Sequence, residues 1–134
     1  MEFFANIELA VAAEIGTATA VGSLVLEIAE GDDIICSRKF DVEFSLLKTS
    51  GQETQRILVQ DGQERIFLHE GQSGDSSISD MNTEDQIKFN LFYFLVEDCM
   101  RNGGVLVRQL GLIEWPPETE SVLLRLCRGN APLN

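Results

Sequence analysis

A chain of 134 residues, 44% of them hydrophobic and 24% charged, is long enough to fold as one domain that buries roughly two-thirds of its unfolded surface with no metal or disulfide to help. Its 10 lysines and arginines against 22 acidic residues leave a formal charge of −12, which sets it against nucleic-acid phosphates and anionic membranes and favours a basic protein partner. Cys36, Cys99 and Cys127 are odd in number, lack a C-x-x-C spacing and sit in apolar surroundings, so they read as small buried hydrophobes in a reducing cytoplasm. Met1-Glu2-Phe3-Phe4 has no basic segment, so a secretory leader is not expected, and the longest apolar run, Leu91 to Val96, is far too short to cross a bilayer.

The first half of the chain has period two. Ile7, Leu9, Val11, Ala13 and Ile15 alternate with Asn6, Glu8, Ala10, Ala12 and Glu14, the pattern of a half-buried strand, and Met1 to Phe4 extends it. A turn at Gly16-Thr17 leads to a second strand from Ala18 to Ala29, with Leu24, Leu26 and Ile28 on one face; Gly22 inside it marks a bulge or a close backbone approach. Glu30-Gly31-Asp32-Asp33 turns the chain into a third strand, Ile34 to Leu46. There Cys36, Phe40, Val42, Phe44 and Leu46 share a face that Arg38 interrupts. After a polar loop, Asp61-Gly62 between two strand-like runs has the composition of a two-residue hairpin turn. That placement pairs Ile57 with Ile66, puts Val59 and Leu68 on the same face, and leaves Arg56, Leu58, Arg65 and Phe67 on the other.

Residues 71–82 are rich in glycine, serine and aspartate and read as a flexible loop between a sheet part (1–70) and a helical part (83–134) of a single domain spanning 1–134. Thr83 with Gln86 has capping-box spacing, with Glu84 and Asp85 in the first turn to suit the helix dipole. Ile87, Leu91, Phe94, Leu95 and Cys99 form an apolar stripe. Phe89, Phe92, Tyr93 and Val96 widen it until the helix needs cover on more than one side. The stretch 105–113 reads as a short strand or extended return. Trp115-Pro116-Pro117 then allows a helix from Pro117 to Arg128 with Val122, Leu123, Leu126 and Cys127 inward, and the last few residues read as loose. The fold class expected is α+β: an antiparallel meander of about five strands packed on a buried helix over 83–102, plus a short C-terminal helix over 117–128.

Chemistry-bearing motifs are sparse. His69, the single histidine, stands beside Glu70, and no serine or cysteine motif completes an acid–base site. Pairing the first three strands in order places Glu8, Glu14, Glu27, Asp41 and Glu43 on one sheet face, an arrangement that a carboxylate-metal enzyme would use for Mg²⁺ or Ca²⁺ and that a solvated face also shows. Phe4-Ala5-Asn6-Ile7-Glu8-Leu9, followed by Val21-Gly22-Ser23-Leu24-Val25 and later Phe40, resembles the opening three strands of a DEDD-type 3′–5′ exonuclease. The family's first strand carries an Asp-x-Glu pair that holds two metals. Here Asn6 stands at the Asp position, Glu8 matches the Glu, and no later Asp motif follows, so the resemblance implies a degenerate relative.

The leading expectation is a non-catalytic module, an adaptor, inhibitor, immunity-type or chaperone-like protein, that binds another protein, and a homo-oligomer fits its surplus of apolar faces. No cofactor and no metal ligand are assigned. Arg56, Leu58, Arg65, Phe67, Tyr93 and Trp115 are the expected partner-binding residues. The alternative is a small apolar ligand held between sheet and helix by Phe40, Phe44, Phe89, Phe92 and Leu95.

Overall fold

The computed structural model describes residues 1–72 and 81–129. Five strands come first: β1 (Glu2–Glu14), β2 (Thr17–Glu30), β3 (Asp33–Thr49), β4 (Gln52–Asp61) and β5 (Glu64–Gln72). They are followed by α1 (Thr83–Arg101), β6 (Val105–Leu110) and α2 (Thr119–Arg128). The strands form one six-stranded sheet in the order β5-β4-β3-β2-β1-β6, with every neighbouring pair antiparallel. The fold is therefore the expected antiparallel sheet with a packed helix and a short C-terminal helix. Its sixth strand is drawn from the extended return at 105–113. The expected loop 71–82 is β5 through Gln72, and its centre lies outside the described residues, as do the last residues of the chain.

Alternation decides which sheet face is covered. Phe3, Ala5, Ile7 and Leu9 of β1, Ala20, Leu24, Leu26 and Ile28 of β2, and Phe40, Val42 and Phe44 of β3 are buried on the inner face under the two helices. The alternation continues to Val11 and Ile15, but the cover does not. Val11 is 46% exposed and Ile15 fully so, because the β1–β2 tip projects beyond the helices. Gly22 faces Leu9 across the β1–β2 ladder, where a side chain would run into the Glu8 carbonyl; this is the close backbone approach expected of a glycine inside a strand.

The β4–β5 hairpin corrects the expected register. Asp61 pairs with Glu64, Val59 with Phe67 and Ile57 with His69, and the ladder shifts between Val59 and Gln60. Asp61 is thus the last residue of β4 rather than a turn residue, and Ile66 is the extra residue of a bulge. The bulge reverses the faces of β5, as one extra residue must, whereas the moved turn alone shifts the pairing by two and would keep them. Phe67 is buried against Phe92, with ring centroids 5.7 Å apart, and Leu68 is 37% exposed on the outer face.

Asn82, not Thr83, caps α1: its side-chain oxygen accepts from the Asp85 amide at 2.8 Å, while the Gln86 side chain donates to the Met81 carbonyl. At the other end Gly103 donates to the Met100 carbonyl and Gly104 to the Cys99 carbonyl. Gly104, at φ +98, then accepts from the Leu9 amide at 2.7 Å, so the helix passes into β6 through the tight turn at 102–104. A side chain at Gly104 would meet the Leu9 carbonyl oxygen at 2.5 Å. Each helix also presents a buried thiol to a strand carbonyl, Cys99 to Ile7 at 3.5 Å and Cys127 to Leu26 at 3.6 Å.

The broad apolar surface of α1 is covered in three directions. The sheet buries Ile87, Leu91 and Leu95, α2 contributes Val122, Leu123 and Leu126 to the same core, and Trp115 packs on Phe94 with ring centroids 6.5 Å apart. Among the described residues no helix is long and apolar enough to cross a membrane.

Candidate partner-binding surface

Both helices lie on the inner face, so the outer face of the sheet is open. Across it run Glu2, Phe4, Asn6, Glu8, Ala10, Ala12 and Glu14 of β1, and Val21, Ser23, Val25 and Glu27 of β2. Lys39, Asp41, Glu43, Ser45 and Leu47 of β3 continue it. Arg56 and Leu58 of β4, Leu68 and Glu70 of β5, and Val105, Val107 and Gln109 of β6 complete it. Val21, Leu47, Leu68, Val105 and Val107 are exposed hydrophobics there, between 37% and 71% accessible. Carboxylates outnumber cations on this face. Lys39 and Arg56 are basic, with Arg65 opposite Gln60 at the hairpin end, and Arg56 lies 3.8 Å from both Glu43 and Glu70.

The expected binding residues divide among three environments. Arg56 and Leu58 are together on the outer face, half-buried, with Leu58 opposite Leu68 and beside Glu43. Phe67 and Tyr93, expected at a surface, are core residues: the bulge turns Phe67 inward, and Tyr93 lies edge-on to Phe44 beneath α1. Trp115 is half-buried at the β6 side of the molecule. There the Arg108 guanidinium sits 4.8 Å from the centre of the Phe94 ring and is held by Asp98 at 2.8 Å. Arg65 is exposed at the β4–β5 turn, far along the sheet from Trp115, so the six do not form one surface.

Arg65 belongs to a second feature that the sequence did not disclose. It lines an open cleft of about 230 Å³ with Arg38, Glu64, Ile66, Glu84, Lys88, Arg125 and Leu126. Arg38 is the residue that interrupts the inner face of β3. It donates to Asp61 at 3.0 Å, to Glu64 at 3.3 Å and to the Leu126 carbonyl at 2.9 Å, over the face of Phe40. Arg125 in turn donates to Glu84, tying α2 to the first turn of α1. Arg38 and Arg125 are matched by carboxylates on neighbouring elements, which makes this part of the cleft a clamp between the hairpin and the helix ends.

The residues of the alternative pocket fill the layer between sheet and helix with their own rings and methyls. Phe40, Phe92 and Leu95 are fully buried, Phe44 packs on Tyr93, and Phe89 lies 4.5 Å from Tyr93 and 4.7 Å from His69, centre to centre. His69 Nδ1 is 3.4 Å from the Tyr93 hydroxyl, which places the single histidine in an aromatic cluster at the edge of the core.

The titratable groups of the core are held in their neutral forms. Burial, then the charge of Glu97, pushes the Tyr93 phenol up to about 12. Burial, then a hydrogen bond with Cys36, pushes the Cys127 thiol up to about 12, and burial raises Cys99. A thiol so placed gives little thiolate at neutral pH. Glu8, Glu14, Glu27, Asp41 and Glu43 do share the outer face, as expected, but they are dispersed over it: Ser23 separates Glu8 from Asp41 across β2. Among the described residues no three histidine, cysteine or carboxylate side chains converge on a point where a metal ion would sit. Asn6 and Glu8, the pair behind the exonuclease resemblance, are exposed on this same face. Comparison with protein-family models, curated proteins and solved structures returns no match.

Proposed function

We propose that this chain is a non-catalytic protein-interaction module whose open sheet face receives a partner protein with a basic surface. One observation carries the reading: on a sheet covered by helices on one side only, exposed Val21, Leu47 and Leu68 are interspersed with Glu8, Asp41, Glu43 and Glu70. Exposed aliphatic side chains in an acidic field are what a partner with an apolar centre and a basic rim would complement. The free thiols fit a reducing compartment such as the cytoplasm.

The test is capture from a host extract by the immobilised chain, compared with D41K/E43K and with L58R. Both variants change outer-face side chains and leave the core intact. The reading requires a defined set of basic proteins that binds the native chain, elutes as salt rises, and is lost with either variant. Equal retention by all three chains would overturn it.

A further inference from the structure

We propose that β6 pairs antiparallel with β6 of a second copy of this chain, across a two-fold axis at Val107, and so joins two sheets into one. The inference goes beyond the outer-face reading and stands without it.

The Leu9 amide donates to the Gly104 carbonyl at 2.7 Å, which fixes the phase of the β1–β6 ladder. Hydrogen-bonded and non-bonded pairs alternate along an antiparallel ladder, so Ile7–Leu106, Ala5–Arg108 and Phe3–Leu110 are the bonded pairs. The amides and carbonyls of Val105, Val107 and Gln109 then point away from the sheet. Among the described residues no strand lies on that side, since β6 ends the sheet order. A two-fold axis at Val107 sets Val107 opposite Val107 and Val105 opposite Gln109 of the second copy. All of these outward groups are then satisfied together, in about six hydrogen bonds.

Side chains and charge select the occupant. Val105 and Val107 are 55% and 71% exposed on the outer face, and the pairing places the two Val107 side chains against each other. On the inner face Leu106 lies across from Arg108 of the second copy, next to the Phe94–Trp115 stack, and Ile113 is fully exposed close by in sequence. The whole run from Asn102 to Ile113 holds no carboxylate, and its one charge, Arg108, is already paired with Asp98. A chain of charge −12 meets its own copy with least repulsion along such a strand. β6 has no proline, no lysine and no bulge to guard its edge, and its one inward-facing charge, Arg108, is held by Asp98.

Sedimentation equilibrium across a dilution series tests the pairing. The native chain should run at twice its 14.9 kDa mass at the upper concentrations. Val107→Lys and Val107→Pro should run as monomers with unchanged circular dichroism, because the Val107 amide serves no bond within one copy. Leu68→Lys should remain dimeric. Under mild oxidation Val107→Cys should cross-link to itself, since directly opposed residues lie at disulfide distance, whereas Val105→Cys should not. Salt should strengthen the dimer by screening like charges, the reverse of its effect on a basic partner. A native chain that stays monomeric throughout the series, Val107 variants that stay dimeric, or cross-linking through Val105→Cys in preference to Val107→Cys would each overturn the proposal.

Discussion

The two edges of the sheet are built differently. β5 is nine residues long, bulged at Ile66, and carries Glu64, Arg65 and Glu70. β6 is six residues long, keeps one register throughout, and carries only Arg108. Their anchorage differs as well. β5 is secured by side chains: Phe67 in the core, His69 in an aromatic cluster, and Glu64 on Arg38. β6 is secured by backbone, through the Gly103-Gly104 turn and the Leu9 amide. Charge and irregularity blunt the β5 edge against added strands, and the regular apolar β6 edge stays open to one. Edge exposure in this fold is thus a local choice of residues and not a consequence of strand order alone.

The largest expected effect tests the slipped register that defines the β5 edge. Phe67→Ala should lower unfolding stability by about 3–5 kcal/mol in denaturant titration, because it opens a cavity against Phe92. Leu68→Ala should cost about 1 kcal/mol or less, since that side chain is on the open face. The register with Asp61-Gly62 as the turn demands the opposite ranking, so the pair decides between the two hairpins.

That misreading shows where the sequence speaks and where it does not. Period two over β1, β2 and β3 is strong because one face is buried and the other wet, and the residues it placed inside, from Ile7 and Leu9 to Phe40, Val42 and Phe44, are inside. It failed at Val11 and Ile15 because alternation reports the pleat and not the length of the cover. It failed at Phe67 because moving the turn from Asp61-Gly62 to Gly62-Gln63 shifts the pairing by two residues and keeps the faces, whereas the extra residue at Ile66 reverses them, and that bulge rests on Phe67 finding Phe92, a contact far away in sequence. Tyr93 was misplaced for a related reason. On a helix apolar around most of its circumference, periodicity cannot say which side faces the sheet. Arg38 was legible as an interruption, but its role depends on Asp61, Glu64 and Leu126 meeting there, and only the fold brings them together. The outward direction of the β6 amides likewise needed the Leu9–Gly104 hydrogen bond.

A second contrast is in pH. Tyr93, in the cluster with His69 of β5, has its phenol pushed from 10.0 up to about 12 by burial and by Glu97. The folded chain keeps that proton where the unfolded chain gives it up. The stability linked to it is therefore fully present below pH 10.0 and is lost as pH rises to about 12. The loss should be about 1.4 kcal/mol for each pH unit between the two values, and Cys127 adds a slope that begins near its ordinary value of 9.0. Tyr93→Phe should flatten the upper part of this alkaline profile, measured as denaturation midpoint against pH, and leave the Cys127 part in place. An unchanged profile would mean that the aromatic cluster does not hold the β5 side in the way described.

The smallest contrast sets Arg38 of β3, which holds the β5 side, against Arg108 of β6. Arg38 is 14% exposed and donates to Asp61 and Glu64, both about half exposed, so those two pairs are screened and contribute little. Its bond to the Leu126 carbonyl and its place over Phe40 are less accessible to water, and there a charged hydrogen bond is worth about 1.5–3 kcal/mol. Arg38→Ala should cost about that much and should loosen α2 from the hairpin. Arg108 is 47% exposed and its partner Asp98 is 22% exposed, so Arg108→Ala should cost about 1 kcal/mol or less in the monomer. Measuring both by thermal unfolding at low and high salt separates the mechanisms. The Arg108 effect should fade as salt screens the pair, while most of the Arg38 effect should persist, because its carbonyl acceptor lies at the end of a helix packed into the core. Equal salt sensitivity would mean that the β5 edge is held by surface charge alone, and the difference between the two edges would then rest on the bulge.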